Sequence, residues 1–361
     1  MYKKIIFLTI ISFILISCNS QREIRIGFAG SLSGSNHEIG VASKNGFQMA
    51  IDDLNNSDLY NSVTFVPIIR DDLSDPDEAL NIINDFKTES VFSAVGFITS
   101  NMYPAIVKAN EEEILLISPS ISTPKLTGKD DFFIRVIQSM EFEAKELARR
   151  TREIEVTKLS IVYEMSNDIY SVKYFEEFRD EYLSKNNEIV FHTALEDSSY
   201  DDIVNDIIAN DSNGICLITS AHNASEILQR LNVKNVDIPI ALSQWTMSSD
   251  LIIQAGQSSE GAYGYSSYNR NISTPDYEKF SKSYVERYKI EPSFISLTSY
   301  EATQLLCQSL LKNSSIEDIK SDIVNATYTG LQNDFLINEY GDAIRMFYLV
   351  HIEDGIIVPL E

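Results

Sequence analysis

Ile24-Arg25-Ile26-Gly27-Phe28-Ala29 is a short apolar run carrying one charge, and it stops at the small, hydroxyl-bearing turn Gly30-Ser31-Leu32-Ser33-Gly34. A run of this length closed by a turn reads as a buried strand. Downstream, Phe47, Ala50, Ile51 and Leu54 recur at i, i+3, i+4 and i+7, the spacing of one helix face. A buried strand that feeds an amphipathic helix is the first step of an α/β fold. The turn has the look of a phosphate loop but matches neither GxGxxG nor GxxxxGK[ST].

The same step repeats outward from this opening. Val63 to Ile69 reads as a strand, and Ala79, Ile82, Ile83 and Phe86 as a helix after the start signal Asp75-Pro76. Short apolar runs at Val91–Val95 and Ile114–Ile117 complete four βα steps. A second series begins with strand Leu159–Tyr163, a helix from Ile169 to Leu183 and strand Glu188–Thr193. It continues with helix Asp201–Ala209, strand Ile215–Ile218, helix Ala224–Leu231 and strand Ile238–Leu242. Alternation of this kind gives parallel sheets covered on both faces, and two series give two lobes. The last third breaks the count. Pro275–Tyr288 and Leu297–Leu311 read as helices, while Phe335–Ile337 and Met346–Ile352 read as strands too few to make a domain. They must complete the two lobes, so the chain crosses between lobes more than once.

The chain has 361 residues, 29 Lys+Arg against 53 Asp+Glu and a formal net charge of −24. That balance excludes a nucleic-acid binder, which needs a basic face, and disfavours anionic membrane surfaces. Hydrophobic residues make up 44% of the chain, enough for real cores, and three cysteines exclude a disulfide scaffold. Lys3 and Lys4 precede an apolar run from Ile5 to Ile16 that is broken by Thr9 and Ser12 alone. The run is shorter than the roughly 20 residues of a membrane span and fits a secretory signal. Leu15-Ile16-Ser17-Cys18 then resembles a bacterial lipobox, which makes residues 1–17 a lipoprotein signal peptide and Cys18 the lipidated residue. Removal of the leader takes away two lysines and no acid, so the rest of the chain is still more acidic. Cys216 and Cys307 lie in apolar segments and read as buried thiols, with a disulfide between them left open.

Catalytic and metal chemistry is missing from the pattern. His37, His192, His222 and His351 are scattered, and no HExxH, CxxC or GxSxG occurs, so no metal site, cofactor or enzyme activity is expected. Asp71-Asp72-Leu73-Ser74-Asp75 is acid-rich but lacks the glycine of a calcium loop, and it reads as a turn before a capped helix. Two hydroxyl-rich turns remain, Thr99-Ser100-Asn101 and Ser118-Pro119-Ser120-Ile121-Ser122-Thr123-Pro124. They follow consecutive strands of the first lobe, where open α/β sheets bind ligands. Hydroxyls and free N–H groups can hold a small anion without Arg or Lys, though Ser and Thr also serve simply as turn and cap residues.

Several of these stretches, taken in order, resemble the leucine/isoleucine/valine-binding protein family, the extracellular substrate-binding proteins of ABC importers. The matching residues are Ile26-Gly27 with Leu32-Ser33-Gly34, Gly40, Asn45-Gly46, Asp71 to Pro76 with Ala79, Gly96 to Ser100 and Ile117 to Pro124. The series continues through Glu260-Gly261-Ala262-Tyr263, Tyr284 to Tyr288 with Pro292, Tyr300-Glu301-Ala302, Tyr340-Gly341-Asp342 and Asp354-Gly355. The resemblance implies a type I periplasmic-binding fold, an α/β architecture of two doubly wound parallel-sheet lobes joined by a three-crossover hinge. The crossings fall near Gln138, Tyr265 and Ala343. Residues 22–138 plus 266–342 would form one lobe and 139–265 plus 343–361 the other.

The implied function is an extracytoplasmic solute-binding protein that closes by hinge motion on a small polar ligand, an amino acid or a small carboxylate or amide. Its partners would be ABC permease subunits, and its contact with the membrane the lipid anchor. A sensory protein of the same fold, reporting to a membrane receptor, is the alternative, and an extracellular hydrolase a remote one. Carried over by position, Ser100 and Ser122 would donate to a ligand carboxylate, beside Thr99 and Asn101, and Ser120 would offer its carbonyl to an ammonium. Tyr170 would close over the ligand, and Ser220-Ala221-His222 would face it. The family carries an acid after the strand Ile238–Leu242, but this chain has Gln244, next to its single tryptophan, Trp245. Glu164 or Asp168 could substitute for that acid, and Trp245 could stack on a ligand or fill a core. Ile39 stands where relatives have an aromatic residue, which would make that wall aliphatic.

Overall fold

The computed structural model describes residues 22–60, 62–183 and 187–360. The expected signal peptide 1–17 and the expected lipidation site Cys18 lie outside the described residues.

Strand β1 (Arg22–Gly30) sits inside a five-stranded parallel sheet of order β2-β1-β3-β4-β5. Its neighbours in sequence are β2 (Val63–Asp71), β3 (Ser93–Gly96), β4 (Leu115–Ser118) and β5 (Phe133–Arg135). Ile24, Ile26 and Phe28 enter the core on one face, where they meet Phe47 and Ile51 of helix α1 (His37–Asn55). Ala29 enters the opposite core, with Ile82, Ile83 and Phe86 of α2 (Pro76–Thr88) and Ala105 and Ile106 of α3 (Tyr103–Glu111). Burial on both faces from Ile26 to Gly30 is why that part of the strand carries no charge and does not alternate. The Asp75 carboxylate accepts from the Asp77 N–H and caps α2. The chain leaves β1 for β2 on one side and returns to β3 on the other. This reversal opens a crevice at the carboxyl ends of β1 and β3.

The second sheet has seven strands in the order β15-β14-β10-β9-β8-β6-β7. Strands β6 (Lys158–Tyr163), β7 (Glu188–Ala194), β8 (Gly214–Ile218), β9 (Ile240–Leu242) and β10 (Tyr263–Ser266) run parallel. Strands β14 (Tyr348–Glu353) and β15 (Ile356–Pro359) add an antiparallel hairpin at one edge. Helices α4 (Met140–Glu153), α5 (Asp168–Tyr182), α6 (Tyr200–Ala209), α7 (Ala221–Val233) and α8 (Ser249–Ala255) accompany this sheet.

After β10 the chain returns to the first sheet through α9 (Pro275–Tyr288), α10 (Phe294–Leu310) and α11 (Ile316–Ile323). Ile295, Ala302, Leu305, Leu306 and Ile319 share a core with Ile26, Phe28 and Phe47. The run around Phe335 does not extend the five-stranded sheet. It forms β12 (Asp334–Ile337), which pairs antiparallel with β11 (Ala326–Thr329) and β13 (Ala343–Ile344) in a small sheet of its own. Phe335 and Ile337 still reach the first core, so burial is served without joining its ladder. Cys216 and Cys307 are free, buried thiols in different cores, and no disulfide joins them.

The segments that pass between the sheets are tied together. The buried Arg135 guanidinium lies 2.6 Å from Asp342, and the buried Arg345 guanidinium lies 2.6 Å from Glu301. Arg345 also donates to the Val136 carbonyl at 3.1 Å and, from its backbone N–H, to Gln138 Oε1 at 3.2 Å.

Candidate functional site

Between the two sheets lies a cavity of about 40 Å³. Thr99 and Ser100 line it from the turn after β3, and Ser120 and Ser122 from the turn after β4. Ile39 of α1 and Phe294 and Ile295 of α10 add an apolar wall on the same side. Opposite them stand Glu143 of α4, Asn167 and Tyr170 at the head of α5, and Gln244 and Trp245 after β9. Ile137, Gln138 and Phe347 come from the segments between the sheets. A larger hollow of about 250 Å³, lined by Asp53, Tyr300 and Glu301 among others, lies outside this cleft and holds none of the sequence-predicted site residues.

The two hydroxyl loops are built to leave donors free. Thr99 precedes a single helical turn, Ser100–Met102, which runs directly into α3. The first N–H groups of such a start have no partner within the helix. The Thr99 hydroxyl is buried and takes no hydrogen bond, an unusual state for a buried polar atom. The second loop is stapled to the first by other hydroxyls. Ser118 Oγ donates to the Phe97 carbonyl at 2.7 Å and accepts from the Ile121 N–H at 3.0 Å, while Ser120 Oγ donates to the Ile98 carbonyl at 2.6 Å. The Ser122 carbonyl accepts from the Met140 N–H at 3.0 Å, which places the first turn of α4 against this loop.

On the far side, the Tyr170 ring meets Trp245 edge-on, with centroids 5.9 Å apart and planes at 86°. Both residues are buried and both line the cavity, so Trp245 is at once part of a core and part of a wall. Gln244 is held by its own contacts: Nε2 donates to Ser267 Oγ at 2.9 Å, and its backbone N–H donates to Glu143 Oε1 at 2.7 Å. Ile39 does stand in the wall, which is aliphatic at that point.

Four of the sequence-predicted residues are not brought to the cavity. Asn101 spans the cleft instead: its side chain donates to the Ser166 carbonyl at 2.7 Å and accepts from the Ile169 N–H at 3.2 Å, and its backbone N–H donates to Asn167 Oδ1. The Ser220 N–H donates to Glu164 Oε2 at 2.7 Å, Ala221 packs into the core beneath α7, and His222 is exposed beside Gln254. Glu164 is therefore engaged at a helix start, and Asp168 is exposed, so neither takes the place of an acid at position 244.

Sequence reasoning missed Glu143, the one acid in the cavity lining among the described residues. A signal was available. Met140, Ala144, Leu147, Ala148 and Thr151 mark the buried stripe of α4, and Glu143 falls within that stripe. A carboxylate inside an apolar stripe is either paired or functional.

A family model described as periplasmic binding protein matches residues 23–355. Among curated relatives, the leucine-, isoleucine-, valine-, threonine-, and alanine-binding protein of Pseudomonas aeruginosa is 30% identical over 107 residues, which is 29% of this chain and 29% of that protein. The chain thus aligns with under a third of the length of that relative. Among solved structures, the LivJ substrate binding protein of a branched-chain amino acid transporter from Streptococcus pneumoniae, in complex with isoleucine, is 20% identical with a TM-score of 0.86. That superposition covers 93% of this chain and 98% of the other. A solute binding protein of an ABC transporter from R. palustris, in complex with benzoate, is 17% identical with a TM-score of 0.83 and covers 94% of this chain and 95% of its own. The two sheets with their crevice between them are those of a type I periplasmic-binding fold, and the chain belongs to the periplasmic binding protein family.

Proposed function

We propose that this chain is the extracytoplasmic solute-binding protein of an ABC importer, tethered through Cys18, and that it closes residues 22–138 plus 266–342 against 139–265 plus 343–361 on a small carboxylate. The observation that carries the reading is the Thr99 hydroxyl, buried in the cavity wall without a partner, beside Ser100 and a helix start. Such donors suit an anion, because each charge-assisted hydrogen bond contributes roughly 1.5–3 kcal/mol. No Lys, Arg or His lines the cavity among the described residues, so the carboxylate would be held by neutral groups alone. The ligands of the two structural relatives, isoleucine and benzoate, both carry a carboxylate and an apolar body, and the Tyr170, Trp245 and Phe294 walls suit such a body.

A cavity of about 40 Å³ has room for only a few molecules the size of water, at roughly 10–15 Å³ each, so an amino acid would enter only when the lobes part. The cross-cleft bonds of Asn101, and the bond from Gln254 to Glu38, are among the contacts that opening would break. A screen of amino acids and aromatic carboxylates should raise the melting temperature of the mature protein, by the equivalent of about 2.7 kcal/mol at a hundredfold excess over Kd. No response to any small carboxylate would overturn the reading. Ser100→Ala and Ser122→Ala should each weaken binding by about 1–3 kcal/mol with little change in the stability of the free protein. Titration calorimetry checks this, and unchanged affinity in both variants would place the carboxylate elsewhere.

A further inference from the structure

We infer that Glu143 is the counter-ion for an ammonium group at the second end of the ligand, doing from α4 what an acid at position 244 would do, and that ligand binding and ionisation of Glu143 are one coupled event. The inference rests on the proposed solute-binding reading and names the ligand class, a zwitterion whose carboxylate faces Thr99 and Ser100.

Four observations converge on Glu143. It is 2% exposed, yet it lines the cavity, and among the described residues it is the only acid that does so. Its recorded hydrogen bonds both fall on one oxygen: Oε1 accepts from the Gln244 N–H at 2.7 Å and from the Tyr174 hydroxyl at 2.9 Å. Oε2 has neither hydrogen bond nor ion pair among the described residues. Finally, Glu143 lies one turn along α4 from Met140, whose N–H is bonded to the Ser122 carbonyl. The acid therefore stands close to the loop expected to take the other end of the ligand.

No cation offsets the burial of this carboxyl. The titratable groups that face it are Tyr170 and Tyr174 of α5 and Cys216 of β8. Burial, and then the Glu143 charge, raise the two phenols well above their ordinary range, and the same causes raise the thiol, so all three are neutral at pH 7. Burial pushes the Glu143 carboxyl itself up to about 8, against the two hydrogen bonds at Oε1 that favour its ionised form. An ammonium at Oε2 would remove that penalty. The two donors at Oε1 already orient the group, so the ion pair would form without further rearrangement of the acid.

The direction of the pH dependence follows. In the free protein below pH 8 Glu143 holds a proton. A bound ammonium favours the carboxylate, so the proton on Glu143 passes to the buffer as the ion pair forms, and the ammonium keeps its own. Affinity then falls as the pH is lowered, by up to about tenfold per unit between pH 8 and pH 6. A ligand with a carboxylate but no cation has no such coupling.

The test uses the mature protein with the standard L-amino acids, tried singly, and with benzoate as an ammonium-free carboxylate. Calorimetry at pH 7 in two buffers of different ionisation enthalpy should register release of close to one proton per amino acid bound, and none for benzoate. Glu143→Gln keeps an acceptor for Tyr174 and Gln244. It should weaken amino-acid binding at least tenfold at pH 8 and flatten its pH profile, while leaving benzoate binding within about threefold. Should the variant not fold, the proton count on the wild-type protein decides alone. Amino-acid binding without proton release, or benzoate binding with no amino acid bound, overturns the inference and leaves the solute-binding reading standing. Binding of neither class at any pH from 6 to 8 overturns both.

Discussion

Arg345→Met is expected to lower the unfolding free energy by about 3–5 kcal/mol, the usual loss when one partner of a buried ion pair is removed. Arg345 and Glu301 are both almost fully buried, and their charged groups are 2.6 Å apart. Methionine fills similar volume but leaves the Glu301 carboxylate in the interior with the Leu331 N–H as its remaining donor, at 2.7 Å. The loss goes beyond one pair. The guanidinium also holds the Val136 carbonyl and lies over the Phe335 ring at 4.7 Å, so the first and last passages between the sheets and the small antiparallel sheet come loose together. Arg345→Lys should recover little, because one ammonium cannot reach Glu301 and Val136 with a planar fork. The double variant Arg345→Met, Glu301→Leu should recover much of the loss, since no charge is then stranded. Urea unfolding measures all three. A loss below 1 kcal/mol in the single variant would mean that Glu301 reaches water when unpaired.

What the sequence reveals and what it hides here divide by range. Strand β1 and helices α1 and α2 are legible because their period and caps are local, and the alternation of elements carries the two-sheet architecture. The short β5 is not legible: Phe133-Ile134-Arg135 is three residues long and ends in an arginine that is buried because Asp342, far along the chain, meets it. Helix α4 is only faintly legible: its stripe rests on the small residues Ala144 and Ala148 and is interrupted by Glu143, so the carboxylate within it is easily passed over. At the cavity the hydroxyl loops were visible as local turns after strands. Phe294 and Phe347 were not, because nothing near them in sequence tells which end of a sheet their segments will reach. Ser220 and His222, carried across by resemblance, do not line the cavity: the Ser220 N–H at the start of α7 donates to Glu164, and the His222 ring, in the first turn of that helix, lies beside Gln254.

Gly46→Ala sets two effects of opposite sign against each other. Gly46 lies inside α1, where alanine is favoured over glycine by about 1 kcal/mol, so on helix propensity alone the change would stabilise the protein. Packing opposes it. A Cβ at Gly46 would stand 2.1 Å from the carbonyl oxygen of Ser296 in α10, a backbone atom that cannot rotate away. Helices α1 and α10 meet here through small residues, with Ser43 Oγ bonded to Ser299 Oγ at 3.0 Å on the same seam. To accept the methyl group the two helices must separate by about 1 Å, which breaks that bond and opens the core around Phe47 and Ile295. Overpacking of this kind costs about 1–3 kcal/mol and more when the blocking atom is backbone, so the net expectation is a loss of about 2 kcal/mol. Val41→Ala on the exposed face of α1 should change stability by less than about 0.5 kcal/mol and serves as the control. The same displacement reaches the cleft, because α1 carries Ile39 and α10 carries Phe294 and Ile295 into its wall. Ligand affinity should therefore fall in Gly46→Ala together with stability, although no atom of the substituted residue touches the cavity. Thermal unfolding and calorimetry on the same preparation separate the outcomes. A stabilised variant would show that propensity wins and that the helices part freely, and lost stability with unchanged affinity would show that the seam and the wall move independently.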